Sequence, residues 1–468
     1  EENREAVFFD VNNKKELLEK CNYYLENDSE RKKVALQGLK RIKNSSYSHH
    51  DRLKKMLDHI NLFRLKKLKI NHISFISPGI FHSFDVANAL EDYGIFSKLY
   101  TQCDFLRVIK WKKNLPFNKI FFLKYPIIKF GKLRRNDSQK IFNKLISKET
   151  SKYLICMPSI ALDIFKKNQK KFKILDIDHF TWDKNLCSKL ISRNFKYFKP
   201  DKPLGDNKHI MQLTELNKES LLRNNKTYPY NLDHVYKEIL ECESADLIMT
   251  PVSYVKKSLI DSGYPENKIF LNPYGYDPKI FYPAKRKKYK KSVLYCGSIS
   301  QRKGWHYLCE ILKYFKNTNQ QFYIIGGIEN NIKSEVLKFF NENKSNIFYL
   351  GSLPQSKAAF YMRNCGISIF PSVLEGFGMT ILQSMASGTP VIASNATCAI
   401  DLIAHDRNGW IIDKKDIDKW VHTIENYLIN ADVLHNISKI AQKSVINLTW
   451  ENYVERLVDF LISNQLIK

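Results

Sequence analysis

The sequence lacks the features that define several common classes of protein. Its nine cysteines form neither a CxxC pair nor a Cys/His cluster, so we expect reduced thiols rather than disulfides or a zinc site. No apolar run reaches the roughly 18 residues that a membrane-spanning helix needs. Lysines interrupt even the stretch IFFLKYPIIKF at 120–130. No signal peptide precedes the first predicted strand, and a cytoplasmic protein is therefore expected.

Acidic residues are in short supply. The chain has 48 Asp and Glu against 75 Lys and Arg, which gives a net charge of +27. This excess suits a negatively charged partner such as an anionic membrane, a nucleic acid or a phosphorylated substrate. Solvated lysine-rich faces explain it equally well. No helix-turn-helix, zinc finger or RNA-binding signature accompanies the charge, so no nucleic-acid partner is expected.

Residues 105–135 interleave aromatic and aliphatic residues with Lys and Arg. This composition fits a face that lies on an anionic membrane, where each basic residue contributes on the order of 1 kcal/mol. A surface helix and strand whose lysine stems cover apolar neighbours fits it equally well. The segment therefore predicts a peripheral membrane contact, with an ordinary surface as the alternative.

The length of 468 residues predicts roughly two to three domains. From residue 69 onward, short continuous apolar runs alternate with helical patterns, as in KINHISFISPG at 69–79. A second series of the same kind follows the lysine-rich linker AKRKKYKK at 284–291. Such runs are typical of parallel strands that helices cover on both faces. The predicted fold class is therefore α/β, with two doubly wound, Rossmann-like domains.

The most specific segment is PSVLEGFGMTILQSMASGTPVIASN at 371–395. A buried strand ends at its start, an acidic residue follows, and Gly376 and Gly378 on either side of Phe377 allow a tight turn. A helix then begins at Met379 and Thr380, and its free backbone N–H groups form an anion site that suits a diphosphate.

Two side chains of this segment have donors or acceptors that suit a nucleotide sugar. Glu375 lies at the edge of the turn and can accept hydrogen bonds from sugar hydroxyls. Gln383 follows on the helix, where it can bind a ribose. The segment thus predicts a site for a diphosphate that carries a sugar on one side and a nucleoside on the other.

This segment resembles the donor motif of the family-4 retaining glycosyltransferases of the GT-B fold. That family carries an acidic residue and, after seven intervening residues, a Glu, within a PS-x-x-EGFG context that matches here at nearly every position. The second Glu is Gln383 in this chain, which predicts a weakened or altered grip on the donor. The hinge segment LNPYGYDPKIFYP at 271–283 and the segment CGSISQRKGWHYL at 296–308 resemble the family as well.

In the second of these segments the resemblance gives Lys303 the role of contacting the donor diphosphate. The family's preceding Arg falls on Ser298 here. Arg302 next to Lys303 is the candidate substitute, but its position in an extended strand or loop is expected to point it elsewhere. A solvated turn lysine is the alternative for Lys303 alone.

The first domain carries acceptor recognition in this family. Gly79 lies in the turn after the first strand, where it lets the backbone approach the donor phosphate or the acceptor. Asp178 and His179 follow a predicted strand, and the family often places a His there, close to the reacting centre. A structural hydrogen bond is the alternative for a lone His at a strand end.

The resemblance therefore implies two sets of site residues. The catalytic residues are Glu375, Lys303, His179 and Asp178. The donor-binding residues are Gly79, Ser298, Arg302, Lys303, Gly326, Gly351, Glu375, Gly376, Phe377, Gly378, Met379, Thr380 and Gln383.

The resemblance implies transfer of a hexosyl unit, with retention of configuration, from a UDP- or GDP-sugar to a glycan, a lipid-linked acceptor or a cell-surface polysaccharide. No metal or other cofactor is implied, in agreement with the lack of a DxD-like pair in a donor-site turn. Two alternatives stay open: a sugar-nucleotide epimerase or phosphorylase of the same fold, and a non-catalytic module that binds a sugar nucleotide or a membrane. Gln383 and Ser298 are the residues that favour the binding module.

The predicted domains are a helical segment at 1–62, an acceptor-side domain at 63–285, a nucleotide-sugar domain at 286–446 and a final helix at 447–468 that crosses back to the first domain. The first segment weakly resembles the end of a spore-maturation-type glycosyltransferase domain, with YSHHDRLKKML at 47–57 as its last element. An ordinary helical extension is the alternative. The chain opens on EENREAVFF without a methionine, which indicates a piece of a longer protein.

Overall fold

A computed structural model divides the chain into two compact units, residues 1–70 and 71–468. The structure describes residues 13–44, 73–78, 82–101, 108, 114–122, 144–146, 151–178, 232–286, 289–316, 318–343, 345–373, 375–464 and 466. In the first unit these residues form α1 (Lys14–Glu26) and α2 (Asp28–Asn44). The side chain of Asn13 caps α1 by accepting a hydrogen bond of 3.1 Å from the backbone N–H of Glu16. The predicted element at 47–57 lies outside the described residues.

The second unit begins with a parallel sheet of seven strands in the order β3-β2-β1-β4-β5-β6-β7. Its strands are β1 (Ile73–Ser77), β2 (Phe96–Thr101), β3 (Ile120–Phe122), β4 (Tyr153–Cys156), β5 (Phe172–Asp176), β6 (Leu247–Thr250) and β7 (Ile269–Leu271). The helices described with it are α3 (Ser83–Asp92), α4 (Ala161–Lys167), α5 (Leu232–Ser244) and α6 (Ser253–Asp261).

A second parallel sheet of six strands follows in the order β10-β9-β8-β11-β12-β13. Its strands are β8 (Tyr289–Cys296), β9 (Gln321–Ile325), β10 (Ile347–Gly351), β11 (Cys365–Phe370), β12 (Val391–Ala393) and β13 (Gly409–Ile411). Its helices are α7 (Trp305–Tyr314), α8 (Lys333–Glu342), α9 (Gln355–Asn364), α10 (Met379–Ala386), α11 (Ala399–Leu402), α12 (Ile417–Ile429) and α13 (Ala431–Ser444), and α14 (Trp450–Ser463) ends the described chain.

These two parallel, doubly wound sheets confirm the predicted α/β architecture. Each sheet reverses its strand order once, between β1 and β4 in the first and between β8 and β11 in the second. In open α/β sheets, ligands bind outside the carboxyl ends of the strands at such a reversal. A ligand site of the second domain is therefore expected at the residues that follow β8 and β11.

The continuous apolar runs that predicted covered strands are buried in the structure. Every residue of β4 and of β11 is buried, as expected for strands with helices on both faces. Three tryptophans, Trp305, Trp410 and Trp420, are also fully buried and fill the core of the second domain. Burying each large side chain contributes on the order of 2 kcal/mol, so this core holds the second sheet and its helices as one domain.

Helix α14 follows the second domain but packs against α3 of the first. Its Arg456 donates hydrogen bonds to the Asn272 side chain at 2.9 Å and to the Pro273 carbonyl at 2.6 Å. The side chain of Asn272 also donates to the carbonyl of Tyr453 at 3.1 Å. The segment at 272–276 that leaves the first domain is thus fixed to the helix that returns to it.

A buried ion pair lies beneath this junction. Nε2 of His82 lies 2.7 Å from Oδ2 of Asp176 at the end of β5, and both side chains are almost fully buried. The His82 ring lies 4.1 Å from the ring of Tyr274 and stacks at 6.0 Å on Trp450. The pair therefore ties the start of α3 and the end of β5 to aromatic rings from the linker and from α14.

We expect Gly275→Ala to destabilise the second unit. A Cβ at this position would lie 2.4 Å from the carbonyl carbon of Thr449 and the amide nitrogen of Trp450, where backbone atoms cannot move aside cheaply. The loss of unfolding free energy should be about 1–3 kcal/mol, measured by urea unfolding. Gly297→Ala is the control, since its Cβ would meet nothing closer than 3.6 Å. Equal urea midpoints for both variants would contradict the close approach.

We expect the His82–Asp176 pair to make stability depend on pH. Burial lowers the pKa of His82, but attraction and hydrogen bonding by Asp176, with Asp178 and Asp85 nearby, outweigh it and raise this pKa above 6.5. The stabilisation is then complete below about pH 6.5 and is lost as the pH rises through the raised pKa of the folded state.

Urea unfolding at about pH 6 and about pH 8 measures this effect. His82→Gln removes the titrating ring and should flatten the fall in unfolding free energy, whereas the same change at the exposed His422 should leave it intact. A wild-type protein whose urea midpoint stays constant across this range speaks against the charged pair.

Candidate functional site

The loops after β8 and β11 bring two cations to one carboxylate. Nζ of Lys303 forms an ion pair with Oε1 of Glu375, and Nη1 of Arg302 lies 3.3 Å from Oε2. The hydroxyl of Ser372 donates a hydrogen bond of 2.9 Å to Oε1. Glu375 is only 7% exposed, so its charge depends on these partners. The arrangement lies where the strand order of the second sheet reverses.

Lys303 is itself largely withdrawn from solvent. Burial lowers the pKa of its ammonium group, the neighbouring Arg302 lowers it further, and the attraction of Glu375 and of Asp178 acts in the opposite direction. The net pKa lies below the ordinary value of a lysine. An additional anion beside Lys303 would favour its charged form, as expected of a group that receives phosphate oxygens.

Gly304 allows the two loops to approach this closely. Its φ is +75°, which other residues rarely adopt, and a Cβ there would lie 1.9 Å from the carbonyl oxygen of Pro371. In the same region the backbone N–H of Val373 donates to the carbonyl of Arg302 at 3.0 Å. The glycine that follows Lys303 is therefore required by the packing of the lysine's loop on the loop of Glu375.

The turn between Glu375 and α10 exposes backbone donors. Gly378 precedes α10 with a φ of +91°, and no side chain caps the helix. Met379 and Thr380, at the start of α10, are half-buried. Their position gives the site the free N–H groups and the positive end of a helix dipole. The carbonyl of Phe377 accepts a hydrogen bond of 2.9 Å from the N–H of Cys398, which fixes the turn to the segment before α11.

The predicted site residues Gly326 and Gly351 lie at the carboxyl ends of β9 and β10, on one edge of the sheet. The N–H of Gly326 donates to the carbonyl of Gly351 at 2.9 Å. A Cβ on Gly326 would lie 1.7 Å from the carbonyl oxygen of Gly297, at the end of β8. The ends of β8, β9 and β10 are thus close together, beside the loop that carries Lys303.

The first domain contacts the turn through Tyr254 and Asp178. The Tyr254 hydroxyl donates to the carbonyls of Glu375 and Gly376, and burial raises the pKa of this phenol. A Cβ on Gly376 would lie 2.2 Å from the carbonyl oxygen of Asp178, so only glycine fits there. The N–H of Ser253 donates to Oδ2 of Asp401 at 2.8 Å. Residues of both domains therefore meet at the turn.

Tyr254 and Ser372 were not among the residues that the sequence singled out. Ser372 belongs to the PS pair that opens the donor motif, so its place beside Glu375 was available as a signal. Tyr254 is the second residue of α6, which follows β6 after a short connection, but no feature of its local sequence distinguishes it from a packing tyrosine. Only the meeting of the two domains gives it a role.

The structure places most of the other predicted residues around this turn, with two departures. Arg302 was expected to point elsewhere, yet its guanidinium reaches Glu375, because the residues before Gly304 form a turn rather than an extended strand. Ser298 is exposed, and its carbonyl accepts a hydrogen bond of 2.9 Å from the Tyr295 hydroxyl. Gln383 lies half-buried on α10. Gly79 and His179 lie outside the described residues.

Comparisons with known proteins find similar families and relatives for parts of this chain. Residues 278–444 match the family described as glycosyl transferases group 1, and residues 1–58 match a second family described as glycosyl transferase-like. CapM of Staphylococcus aureus, a capsular polysaccharide biosynthesis glycosyltransferase, is 26% identical over 258 residues, which cover 50% of this chain and 67% of that protein. The resemblance of residues 1–62 to a spore-maturation-type protein stays a prediction.

Solved structures show the same architecture. HepE of Anabaena, in complex with UDP and glucose, superposes with a TM-score of 0.59 at 13% identity over 84% of this chain and 99% of that one. Sucrose-phosphate synthase of Thermosynechococcus elongatus superposes with a TM-score of 0.60 at 16% identity over 84% and 98%. At such low sequence identity, the similarity shows a shared fold and nothing more.

The fold and the comparisons together indicate a glycosyltransferase. The chain has the GT-B fold, and residues 278–444, in its second domain, are similar to the family of glycosyl transferases group 1. The matched segments span 56% to 67% of the length of three curated relatives, the CapM protein among them. Among the residues that the structure describes, no helix is both long and apolar enough to cross a membrane.

We expect Tyr254→Phe to weaken the contact between the first domain and the turn. The change removes only the hydroxyl that donates to Glu375 and Gly376, and it leaves these two backbone carbonyls without this donor. The unfolding free energy should fall by about 0.5–1.5 kcal/mol in urea unfolding. Tyr314→Phe removes a hydroxyl from a ring that is 57% exposed and should have no effect. An equal effect of both changes would argue against the contact.

Proposed function

We propose that this chain transfers a hexosyl unit from a UDP- or GDP-sugar, with retention of configuration, to a glycan, a lipid-linked acceptor or a cell-surface polysaccharide. The observation that supports the proposal best is the convergence of Lys303 and Arg302 on Glu375, beside the uncapped start of α10. Cations and helix N–H groups on one side of a single carboxylate suit a substrate with a diphosphate next to a sugar.

In the proposed reaction, bond breaking leaves negative charge on the departing diphosphate. The ammonium of Lys303 and the N–H groups at the start of α10 are fixed before the reaction and stabilise that charge. The carboxylate of Glu375 accepts hydrogen bonds from the sugar hydroxyls and orients the ring. A diphosphate oxygen on the same face takes the proton of the attacking acceptor hydroxyl, which leads to retention.

Arg302 bears on the choice between an enzyme and a binding module. The missing arginine at Ser298 favoured a weakened site, but Arg302 brings a guanidinium to the same carboxylate that Lys303 contacts. Two cations beside Glu375 are what stabilisation of a leaving diphosphate needs. We therefore favour turnover, with Gln383 as the remaining departure from the family's residues.

The proposed mechanism uses no metal ion. Asp176 and Asp178 form a D-x-D pattern at the end of β5, but Asp176 is buried and pairs with His82. The carboxylate of Asp176 therefore faces the interior, whereas a bridge to a diphosphate through a divalent cation would require carboxylates that reach the substrate. Lys303 and the start of α10 take over the charge stabilisation that such an ion gives elsewhere.

The relatives support the substrate class. HepE was crystallised with UDP and with glucose, and the name of CapM places it in capsular polysaccharide biosynthesis. We extend both to this chain as proposals: a UDP-sugar as the first donor to test, and a polysaccharide or its lipid-linked precursor as the acceptor. A cytoplasmic enzyme that docks on the membrane through residues 105–135 fits this role, although most of that segment lies outside the described residues.

Lys303→Met should weaken binding of the donor nucleotide. We expect calorimetry with UDP and GDP to show micromolar binding of one of them and a loss of about tenfold or more in the variant, since one charge-assisted contact is removed. Lys316→Met, at an exposed lysine of the same domain, is the control. Turnover is then followed over a panel of sugar nucleotides. Tight nucleotide binding without hydrolysis or transfer from any donor would favour the binding module instead.

Gln383→Glu should strengthen donor binding, because a carboxylate accepts hydrogen bonds from the two ribose hydroxyls more strongly than an amide does. We expect affinity for UDP-sugar or GDP-sugar to rise by about threefold to tenfold in calorimetry. Gln442→Glu introduces the same charge on α13, away from the turn, and should leave the affinity unchanged. No difference between the two variants would remove the role assigned to Gln383.

A further inference from the structure

The second domain contains a cavity of about 400 Å³ that the donor site does not use. One wall is the linker from Pro283 to Arg286, and the other is the face of α13 that carries Leu434 and Ser438. Ser387 and Gly388, which follow α10, also line it. This volume lies within the range of pockets that bind small organic molecules.

Topology separates this cavity from the donor site. Gly366 is the second residue of β11, and Lys291 lies near the start of β8, so the cavity opens at the amino ends of the strands. Lys303 and Glu375 lie in loops that follow the carboxyl ends of the same two strands. A ligand in the cavity would therefore occupy the opposite edge of the sheet from the proposed donor.

The mouth of the cavity carries positive charge. Its basic residues are Lys285, Arg286, Lys291 and Lys439, with His435 beside them, and no Asp or Glu lines it. All five are exposed. Within the described part of the chain, none of the four Lys and Arg side chains forms an ion pair. Four cations without acidic partners around one opening favour an anion there.

The interior of the cavity is mostly apolar. Pro283, Leu428 and Leu434 contribute hydrocarbon surface. Ala431, the first residue of α13, also lines the cavity. Ser387 is fully buried and lines the cavity, and its hydroxyl has no hydrogen-bond partner among the described residues. An unpaired buried hydroxyl costs free energy, which a ligand atom that accepts or donates there would recover.

We propose that this cavity binds an anionic amphiphile, a phosphate group that carries a single hydrocarbon chain. The chain lies on Pro283, Leu428 and Leu434, and the phosphate lies at the mouth among Lys285, Arg286 and Lys439. A free phosphate gains nothing from the apolar interior, and a neutral hydrocarbon gains nothing from the cations. Only a ligand with both parts uses the whole cavity.

The test uses the full chain and decyl phosphate, kept below its micellar concentration, in a calorimetric titration. Decyl phosphate should bind at least about tenfold more tightly than inorganic phosphate or decanol, because each of these lacks one of the two parts. Equal affinity for inorganic phosphate and decyl phosphate would overturn the proposal, since it would reduce the site to a cluster of surface cations.

Two variants locate the binding. Lys285→Glu with Arg286→Glu reverses the charge at the mouth, and Ala431→Trp fills the interior from an exposed position that should not disturb folding. Each should weaken decyl phosphate binding by about tenfold or more. Lys316→Glu with Lys338→Glu changes the net charge equally at exposed sites of the same domain and should not. Unchanged binding in both cavity variants, at a wild-type melting temperature, would overturn the assignment.

Co-sedimentation with vesicles distinguishes two sources of the ligand. Loss of binding to phosphatidylcholine vesicles that contain lysophosphatidic acid, a single-chain phosphate, in Ala431→Trp, with no loss in the surface control, would identify a membrane lipid. If Ala431→Trp still sediments with the vesicles, another surface, such as residues 105–135, binds the membrane. The cavity that binds decyl phosphate would then take an amphiphile that is free in solution. Neither outcome depends on sugar transfer, so the cavity and the proposed function are tested separately.

Discussion

The buried carboxylate of Glu375 is the constraint on which the second domain's site depends. An ionised side chain that is 7% exposed needs positive charge and hydrogen-bond donors in the interior. Lys303 and Arg302 supply the charge from the loop after β8, and Ser372 supplies a hydroxyl from the loop after β11. The carboxylate therefore joins the two loops at the point where the strand order reverses, and it arranges the cations that an anionic substrate would meet.

Backbone contacts set how closely the parts of the site approach. A side chain on Gly304 would collide with the carbonyl of Pro371, and one on Gly376 would collide with the carbonyl of Asp178. The first contact joins two loops of one domain, and the second joins the two domains. The same principle places glycine in both: where two backbones touch, a Cβ has no room. The Glu375 turn is thus fixed from both sides of the cleft before any substrate binds.

Much of the fold and of this turn could be predicted from the sequence because the signals are local. Apolar runs between helical patterns gave two parallel sheets, and the spacing of Glu375, Gly376 and Gly378 gave a turn before a helix. The contacts of Tyr254 and the His82–Asp176 pair could not be predicted. Their partners are separated by 94 or more residues, and only the order of the strands brings them together. Arg302 was misjudged because its side-chain direction depends on a turn that the pattern did not reveal.

The net charge of +27 had two explanations at the outset, solvated surfaces and an anionic partner. The cations at the two edges of the second sheet differ in exposure and in ion pairing. At the carboxyl edge, Lys303 is half-buried and paired with Glu375, so a diphosphate there would compete with an internal carboxylate. At the amino edge, Lys285 and Lys439 are exposed, and the acids that the structure describes do not reach them. An exposed, unpaired cluster exerts a longer-ranged attraction than cations that a neighbouring carboxylate neutralises. The cations proposed to bind an amphiphile and those proposed to act on the donor diphosphate are therefore different residues, on opposite edges of one sheet.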